Sequence, residues 1–330
     1  MSSRTLNAAA PAIVARPRDE LKQIARDTLA AVKRGSYTTH IHLVIFQDLA
    51  TVSDSTTSFG CDALDDWEIS PSPKLSGDAS TDFVLYQATT LEGIRFCLDD
   101  AAAGDFADID ASRTGTQPPH LAVLNFASAT SPGGGFLGGA RAQEETLARS
   151  SNLYSSLSSA AARPFYTAHN TRADPRFSHV MLLTRSVRFV RDDRGVWVPP
   201  ADVDVLTSAA VNVNALRQAL HPRGGKEAPL PAALAAEVAA LMRERMSRIL
   251  CAMARAGATV IVLGSFGTGA FRNKVEFVAE TWAELLCGVQ APFRGSSLRL
   301  WTKERRPCFA TCFEERVRVF GRRSRNGRKC

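Results

Sequence analysis

Two glycine-rich loops and a pair of neighbouring glutamates are the features of this 330-residue chain whose types and spacing suggest chemistry. The segment Ser131-Pro-Gly-Gly-Gly-Phe-Leu-Gly-Gly-Ala140 holds five glycines in ten residues. Glycine allows positive φ and close backbone approach, so successive N–H groups can line up on an anion, helped by the N-terminus of a following helix. Gly264-Ser-Phe-Gly-Thr-Gly-Ala-Phe271 repeats the arrangement. Either loop alone could be a plain turn; recurrence at two strand ends favours one phosphate or diphosphate held between them. Gln143-Glu144-Glu145 follows the first loop. Two acids in a helix's first turn are commonplace, because the dipole favours them there. Here they would stand beside whatever the loop binds. Adjacent helical residues point about 100° apart, so they cannot form the opposed carboxylates of common glycosidases. One acid acting on a scissile bond and one holding the substrate is the natural division.

Two nucleotide machines are disfavoured. Gly133-x-Gly135-x-x-Gly138 satisfies the dinucleotide fingerprint literally. That pattern should open a helix at once and be followed about 20 residues later by an acid ending a strand. In this chain the corresponding stretch, 153–160, reads as helix. No Gly-Lys-Ser/Thr occurs, so the phosphate-binding lysine motif is missing as well. His169, His179 and His221 lie far from both loops, and Cys308 with Cys312 and Cys330 lacks a fourth nearby ligand. No metal site or cofactor is expected.

The elements that must position these groups follow from periodicity. Helical spacing of Leu21, Ile24, Ala25, Leu29 and Val32, stopped by Gly35, predicts a helix over 18–34. A β-branched stretch over 40–52 reads as strand, 53–82 as loop, and 83–87 as a short strand. Thr89 or Thr90 should cap a helix running to about Ala103. Strands are expected at 121–126, 180–184, 203–208 and 259–263, with helices at 143–161, 232–256 and 275–287. Strands alternating with helices predict an α/β sheet covered on both faces, with ligands beyond the carboxyl ends of its strands. Both glycine loops fall at such ends.

The chain carries a formal +7, but residues 301–330 hold ten basic and three acidic residues, so residues 1–300 are electroneutral. The charge therefore describes a basic tail and not a nucleic-acid-binding body. Seven scattered cysteines suggest reduced, intracellular usage, cytoplasmic or nuclear. No stretch has the roughly 18 apolar residues of a membrane span, and no membrane partner is expected. Arg4, Arg16 and Arg18 give the first 18 residues a weak organelle-targeting look; a frayed terminus is the preferred reading.

The run from Asn125 to Tyr154, in which GGG, seven residues and QEE follow one another, resembles the signature of microbial-type poly(ADP-ribose) glycohydrolases. Further similarity covers 24–37, Ser208-Ala-Ala-Val-Asn212, Met242-Arg-Glu-Arg245 and 264–271. The resemblance implies a macrodomain-like mixed sheet flanked by helices on both faces, with an N-terminal helical extension. It implies a ligand, poly(ADP-ribose) or ADP-ribose, and ADP-ribosylated proteins as partners. It makes Glu145 the catalytic acid and gives Glu144, beside Gln143, the adjoining ribose. Gly133, Gly134 and Gly135 would pack on the diphosphate and distal ribose, with Gly267 and Gly269 opposite, Phe271 against a ribose and Asn125 on the terminal one. An acid role requires Glu145 to be protonated when substrate is bound, raised by burial and the diphosphate against the dipole.

The second loop departs from the family pattern, reading Ser-Phe-Gly-Thr-Gly where a Trp and a Cys are usual. The segment 294–306 looks inserted before the last strand. The expected organisation is a flexible 1–17, a catalytic domain over 18–313 and a basic tail over 314–330 that could hold polyanions non-specifically. Two other functions compete with polymer hydrolysis: a non-catalytic ADP-ribose reader, and hydrolysis of another ADP-ribose linkage, on protein or nucleic acid.

Overall fold

Residues 121–126 show why the sheet is buried on both sides. In this strand Ala122 and Leu124 face one hydrophobic cluster and Leu121 and Val123 the other, the two-residue alternation of a pleated strand with both faces apolar. The computed structural model describes residues 3–6, 16–39, 42–46, 52, 54–68, 82–86, 88–102, 120–171, 174–222, 228–287, 297–301, 309 and 311–317.

The strands are β1 (Ser3–Leu6), β2 (Ser36–Thr38), β3 (Leu43–Ile45), β4 (Thr56–Phe59), β5 (Asp82–Tyr86), β6 (Leu121–Phe126), β7 (Met181–Arg191), β8 (Trp197–Ser208), β9 (Val260–Leu263) and β10 (Ser297–Trp301). Eight of them form one sheet in the order β1-β5-β10-β9-β6-β8-β7-β4, while β2 and β3 make a separate hairpin. β6 is parallel to both β8 and β9, whereas β7 is antiparallel to β8 and to β4. The sheet is therefore mixed, and the carboxyl ends of β9, β6 and β8 lie side by side.

Helices cover both faces: α1 (Arg18–Arg34), α2 (Thr90–Ala102), α3 (Gln143–Ser150), α4 (Leu153–Leu157), α5 (Arg163–Asn170), α6 (Val213–Leu220), α7 (Ala232–Arg255) and α8 (Val275–Cys287). One core joins α7 and α8 to the sheet through Met242, Met246, Ile249, Val278 and Trp282. The other joins α2 to α5 through Ile94, Leu147, Leu153, Leu157 and Phe165. Thr89 caps α2 reciprocally: its Oγ1 accepts from the Glu92 N–H at 3.1 Å, and its own N–H donates to Glu92 Oε2 at 2.8 Å, a capping box.

Several expectations change. The helix expected over 143–161 breaks at Ser151, which is extended at φ −152°. The Ser151 hydroxyl donates to Leu147 O, and Asn152 Oδ1 accepts from the Arg188 N–H, so short polar side chains outcompete helix continuation. The strands at 180–184 and 203–208 are parts of one long hairpin, closed by Asp192 accepting from the Arg194 and Val196 N–H groups. The stretch 53–82, read as loop, contains β4 and a 3-10 turn at Asp65–Glu68; β4 is too short to show alternation. Of the strand expected over 40–52, β3 is present at Leu43–Ile45, while 40, 41 and 47–51, like 69–81, lie outside the described residues.

The apparent insertion at 294–306 holds β10, an interior strand between β5 and β9. Residues 311–317 are helical, and Phe309, Phe313 and Val317 enter the core. Packing thus continues past the boundary expected at 313, and 318–330, like most of 1–17, lies outside the described residues.

Candidate active site

The acids are positioned by backbone. Gln143, the first residue of α3, is buried and spends its whole amide on the protein. Its Oε1 accepts from the Phe126 N–H at 2.8 Å, and its Nε2 donates to Leu124 O at 2.7 Å and to Thr90 Oγ1 at 3.3 Å. Gln143 thereby clamps the start of α3 to the end of β6, with both amide N–H groups engaged.

Glu144 is 2% exposed. Its Oε2 accepts from the Ser128 N–H at 2.6 Å and its Oε1 from Asn125 Nδ2 at 3.4 Å. Burial, with a smaller contribution from the Glu145 charge, pushes its carboxyl from 4.5 up to about 8, against the opposing hydrogen bonds from Ser128, Asn125 and Gly133. Glu145 is half-buried; its Oε1 accepts from the Gly135 N–H at 3.0 Å, and its Oε2 is buried without a partner. That oxygen is the uncommitted hydrogen-bonding atom of the acid pair.

The first loop closes over both carboxylates. Gly134 has φ +58°, and a Cβ built there would collide with Glu145 Oε1 and stand 3.2 Å from Glu144 Oε2. Only glycine permits this contact. Gly133 lies on the rings of Phe136 and Tyr154, and Gly135 against Ala140. The loop N–H groups do not all wait for an anion, as the sequence suggested: Gly133 and Gly135 address the carboxylates, and Gly134 donates to Ser131 O at 2.9 Å.

The second loop differs. The N–H groups of Gly267, Gly269 and Ala270 donate to no acceptor among the described residues. The loop is held from behind by Asn273 Nδ2, which donates to Val211 O at 2.9 Å and Gly267 O at 3.0 Å, and by Trp282 Nε1 donating to Gly264 O at 3.0 Å. Gly267 abuts Ala210, whereas Gly269 faces open space. Phe271 stands 5.9 Å, centroid to centroid, from Phe177. Phe266, in the part of the loop that departs from the family pattern, is buried edge-on against Phe126 at 5.8 Å.

Asn125 is fully buried at the end of β6, donating to Thr207 Oγ1 at 3.2 Å, with its Oδ1 unpartnered.

Three supports lie outside the site residues expected from sequence. Ser128 supplies the shortest bond to Glu144. Arg245, fully buried on α7, donates to Ala209 O at 2.7 Å, Arg176 O at 3.0 Å and Phe177 O at 3.1 Å, tying the end of β8 to the segment carrying Phe177. Desolvation lowers its guanidinium to about 10. The signal for Arg245 was a charged residue on the apolar stripe of a long helix.

The third support is α1. Its residue Arg18 places a backbone carbonyl where a Cβ on Gly139 (φ +75°) would stand 2.5 Å away. Ala25 of α1 packs with Phe136 of the loop and Ala148 of α3. Thr28 Oγ1 donates to Arg149 O at 2.8 Å and accepts from Arg191 Nε at 2.7 Å. The extension therefore braces the loop and the acids together. His169 and His179 have ordinary partners, Ser178 and Glu244. Among the described residues no cluster of His, Cys, Asp or Glu could hold a metal ion, and no helix is long and apolar enough to cross a membrane.

Comparison with known proteins places this geometry. Residues 25–192 match the microbial-type PARG catalytic domain. A search of curated proteins found no match. Among solved structures, poly(ADP-ribose) glycohydrolase from Thermomonospora curvata is 31% identical with a TM-score of 0.73, the alignment covering 90% of this chain and 99% of that one. The same enzyme bound to the inhibitor ADP-HPD aligns with a TM-score of 0.72, at the same identity and coverage. The Deinococcus radiodurans enzyme in complex with ADP-ribose is 29% identical with a TM-score of 0.66, covering 84% of this chain and 99% of that one.

Proposed function

The chain belongs to the microbial-type poly(ADP-ribose) glycohydrolase family, and from that premise we propose that it hydrolyses the ribose–ribose bonds of poly(ADP-ribose), releasing ADP-ribose. The observation that carries the assignment of roles is the asymmetry of the acids. Both Glu144 oxygens are engaged by protein donors, whereas Glu145 keeps one buried oxygen free. Glu145 is then the general acid and base: it gives its proton to the departing ribose oxygen as the bond from the anomeric carbon breaks. Positive charge develops on the ring and is partly balanced by the substrate's own diphosphate. Glu145 next takes a proton from the water that attacks the same carbon.

Glu144, raised to about 8, is mostly neutral near pH 7. A neutral carboxyl beside a diphosphate avoids repulsion and can orient the adjoining ribose. The open N–H groups of Gly267, Gly269 and Ala270 suit the diphosphate, which makes recognition of a polyanion compatible with an electroneutral body. Gly133 to Gly135 wall the distal ribose, with Phe271 opposite and Asn125 behind Glu144.

Partners in this reading are the polymer and ADP-ribosylated proteins, with the basic residues beyond 317 adding salt-sensitive contact to polyanions. The free cysteines Cys61, Cys251 and Cys287 support a reducing cytoplasmic or nuclear setting.

The test is Glu145→Gln assayed on labelled polymer, mono-ADP-ribosylated protein and ADP-ribosylated DNA. Release of ADP-ribose from polymer should fall roughly a thousandfold while ADP-ribose binding persists. Near-normal release would overturn the assignment, and turnover of another substrate by the native chain but not of polymer would change the linkage.

A further inference from the structure

One turn beyond Glu145 on α3 stands Arg149, a charged residue that is only 5% exposed. No carboxylate pairs with it among the described residues. A guanidinium taken out of water without a counter-ion is costly unless its N–H groups are well used. Both prongs of this one go to a single atom: Nη1 and Nη2 donate to Ala140 O at 2.7 and 2.8 Å, and Nη2 also reaches Thr146 Oγ1 at 3.4 Å. A neutral hydroxyl or amide could satisfy that carbonyl at less cost. The buried fork therefore calls for a further reason.

Ala140 leads back to the acid. Its N–H donates to Gly135 O at 3.2 Å, and the Gly135 N–H donates in turn to Glu145 Oε1 at 3.0 Å. Packing leaves this link little slack, since a Cβ on Gly135 would stand 3.1 Å from that of Ala140. The path closes on α3 itself: Glu145 and Arg149 are four residues apart and share one side of the helix, and Thr28 of α1 holds the Arg149 carbonyl at 2.8 Å. Burial lowers the guanidinium from its ordinary value, opposed first by the charge of Glu145. The terminal bond of a glutamate turns easily, so the donor that fixes Oε1 also decides where the unpartnered Oε2 points.

We propose that Arg149 is the positioning residue of the general acid: its two-pronged grip on Ala140 O keeps the Gly135 N–H on Glu145 Oε1 and so presents Oε2 to the glycosidic oxygen. The inference rests on the glycohydrolase reading. Arg149 acts here without touching substrate. A planar fork loses little freedom in holding one carbonyl this way, and a lysine cannot reproduce it.

The experiment places Arg149→Met and Arg149→Lys in the native chain and in a Glu145→Gln background, and assays them on labelled poly(ADP-ribose). Arg149→Met should lower kcat by about ten- to a hundredfold, the scale of a misplaced catalytic group. KM, and Kd for ADP-ribose, should change less than about threefold. Arg149→Lys should recover part of kcat. With Glu145→Gln already present, Arg149→Met should cost less than about threefold more, because the group it positions has been removed. The Gly135 amide proton, which a carboxylate acceptor moves downfield, should move upfield in both Arg149 variants.

A rise in KM or Kd that accounts for the loss would overturn the proposal by making Arg149 a binding or merely structural residue. Full additivity with Glu145→Gln, native kcat in Arg149→Met, or complete recovery by Arg149→Lys would do the same, the last because charge alone would then suffice. If Arg149→Met does not fold, Arg149→Lys decides by these criteria. If native protein releases no ADP-ribose, the glycohydrolase reading fails on its own; the Gly135 amide then tests the grip, and a resonance unmoved by either variant would sink it.

Discussion

Replacing Glu144 by Gln should stabilise the protein in a pH-dependent way while disabling the site. The carboxyl is 2% exposed, and its value rises from 4.5 to about 8, chiefly through burial. A carboxyl raised in the folded state binds more protons there than in the unfolded chain. Its contribution to stability is therefore intact below about pH 4.5 and is lost as pH rises through 8. Each pH unit well inside that interval costs ~1.4 kcal/mol, so between pH 5 and 8 the native protein loses roughly 3 to 4 kcal/mol on this account. Gln titrates in neither state and removes that slope.

The local bonds can be kept. Gln Oε1 can accept from the Ser128 N–H, and a rotated Asn125 amide can accept from Gln Nε2 and from the Thr207 hydroxyl. Denaturant unfolding at pH 5, 6, 7 and 8 measures the effect. The stability difference between Glu144→Gln and native protein should move by roughly 3 to 4 kcal/mol in favour of the variant over that range, with kcat/KM reduced throughout. Parallel stability curves would refute the claim that Glu144 is buried with a raised carboxyl. A stability gain with full activity would refute its role at the site.

Three other substitutions follow from the same geometry. Gly134→Ala forces a Cβ onto both carboxylates at a positive φ and should cost roughly a hundredfold in kcat/KM; Gly138→Ala, which meets nothing within 4 Å, serves as the control and should retain activity. Arg245→Leu leaves the carbonyls of Ala209, Arg176 and Phe177 without a donor and should destabilise by about 3 kcal/mol or more in thermal unfolding. Deleting 318–330 should leave hydrolysis of short substrates intact while weakening salt-sensitive retention on long polymer; loss on both would make the segment part of the fold.

The strands and helices that bury clean apolar patterns were legible in the sequence. β6 opens with Leu121 to Leu124 without a polar break, and α8 presents Val275, Val278, Ala279 and Trp282 on one face. Where short polar side chains compete with the backbone, the pattern misled. Ser151 and Asn152 ended a helix that periodicity would have continued, because the pairing of Ser151 with Phe189 and of Asn152 with Arg188 arises only once β7 is in place. β10 was hidden for a related reason: five residues flanked by arginines look like an insertion until parallel neighbours on both sides make them interior. At the site, glycine spacing pointed to the loop, but the destination of its N–H groups depended on how the start of α3 meets the end of β6. Gln143 decides that, and its role could not be read from residue type.

The brace formed by α1 has a kinetic corollary. Thr28 meets Arg149 across 121 residues and Arg191 across 163, so these contacts close very long stretches of chain. Closure of this kind is slow compared with forming a helix or a hairpin. On a growing chain, α1 emerges before α3 and the β7–β8 hairpin and must wait for them before it can dock. The loop over the carboxylates then takes its working shape among the last events of folding, and catalytic competence should lag behind the appearance of secondary structure.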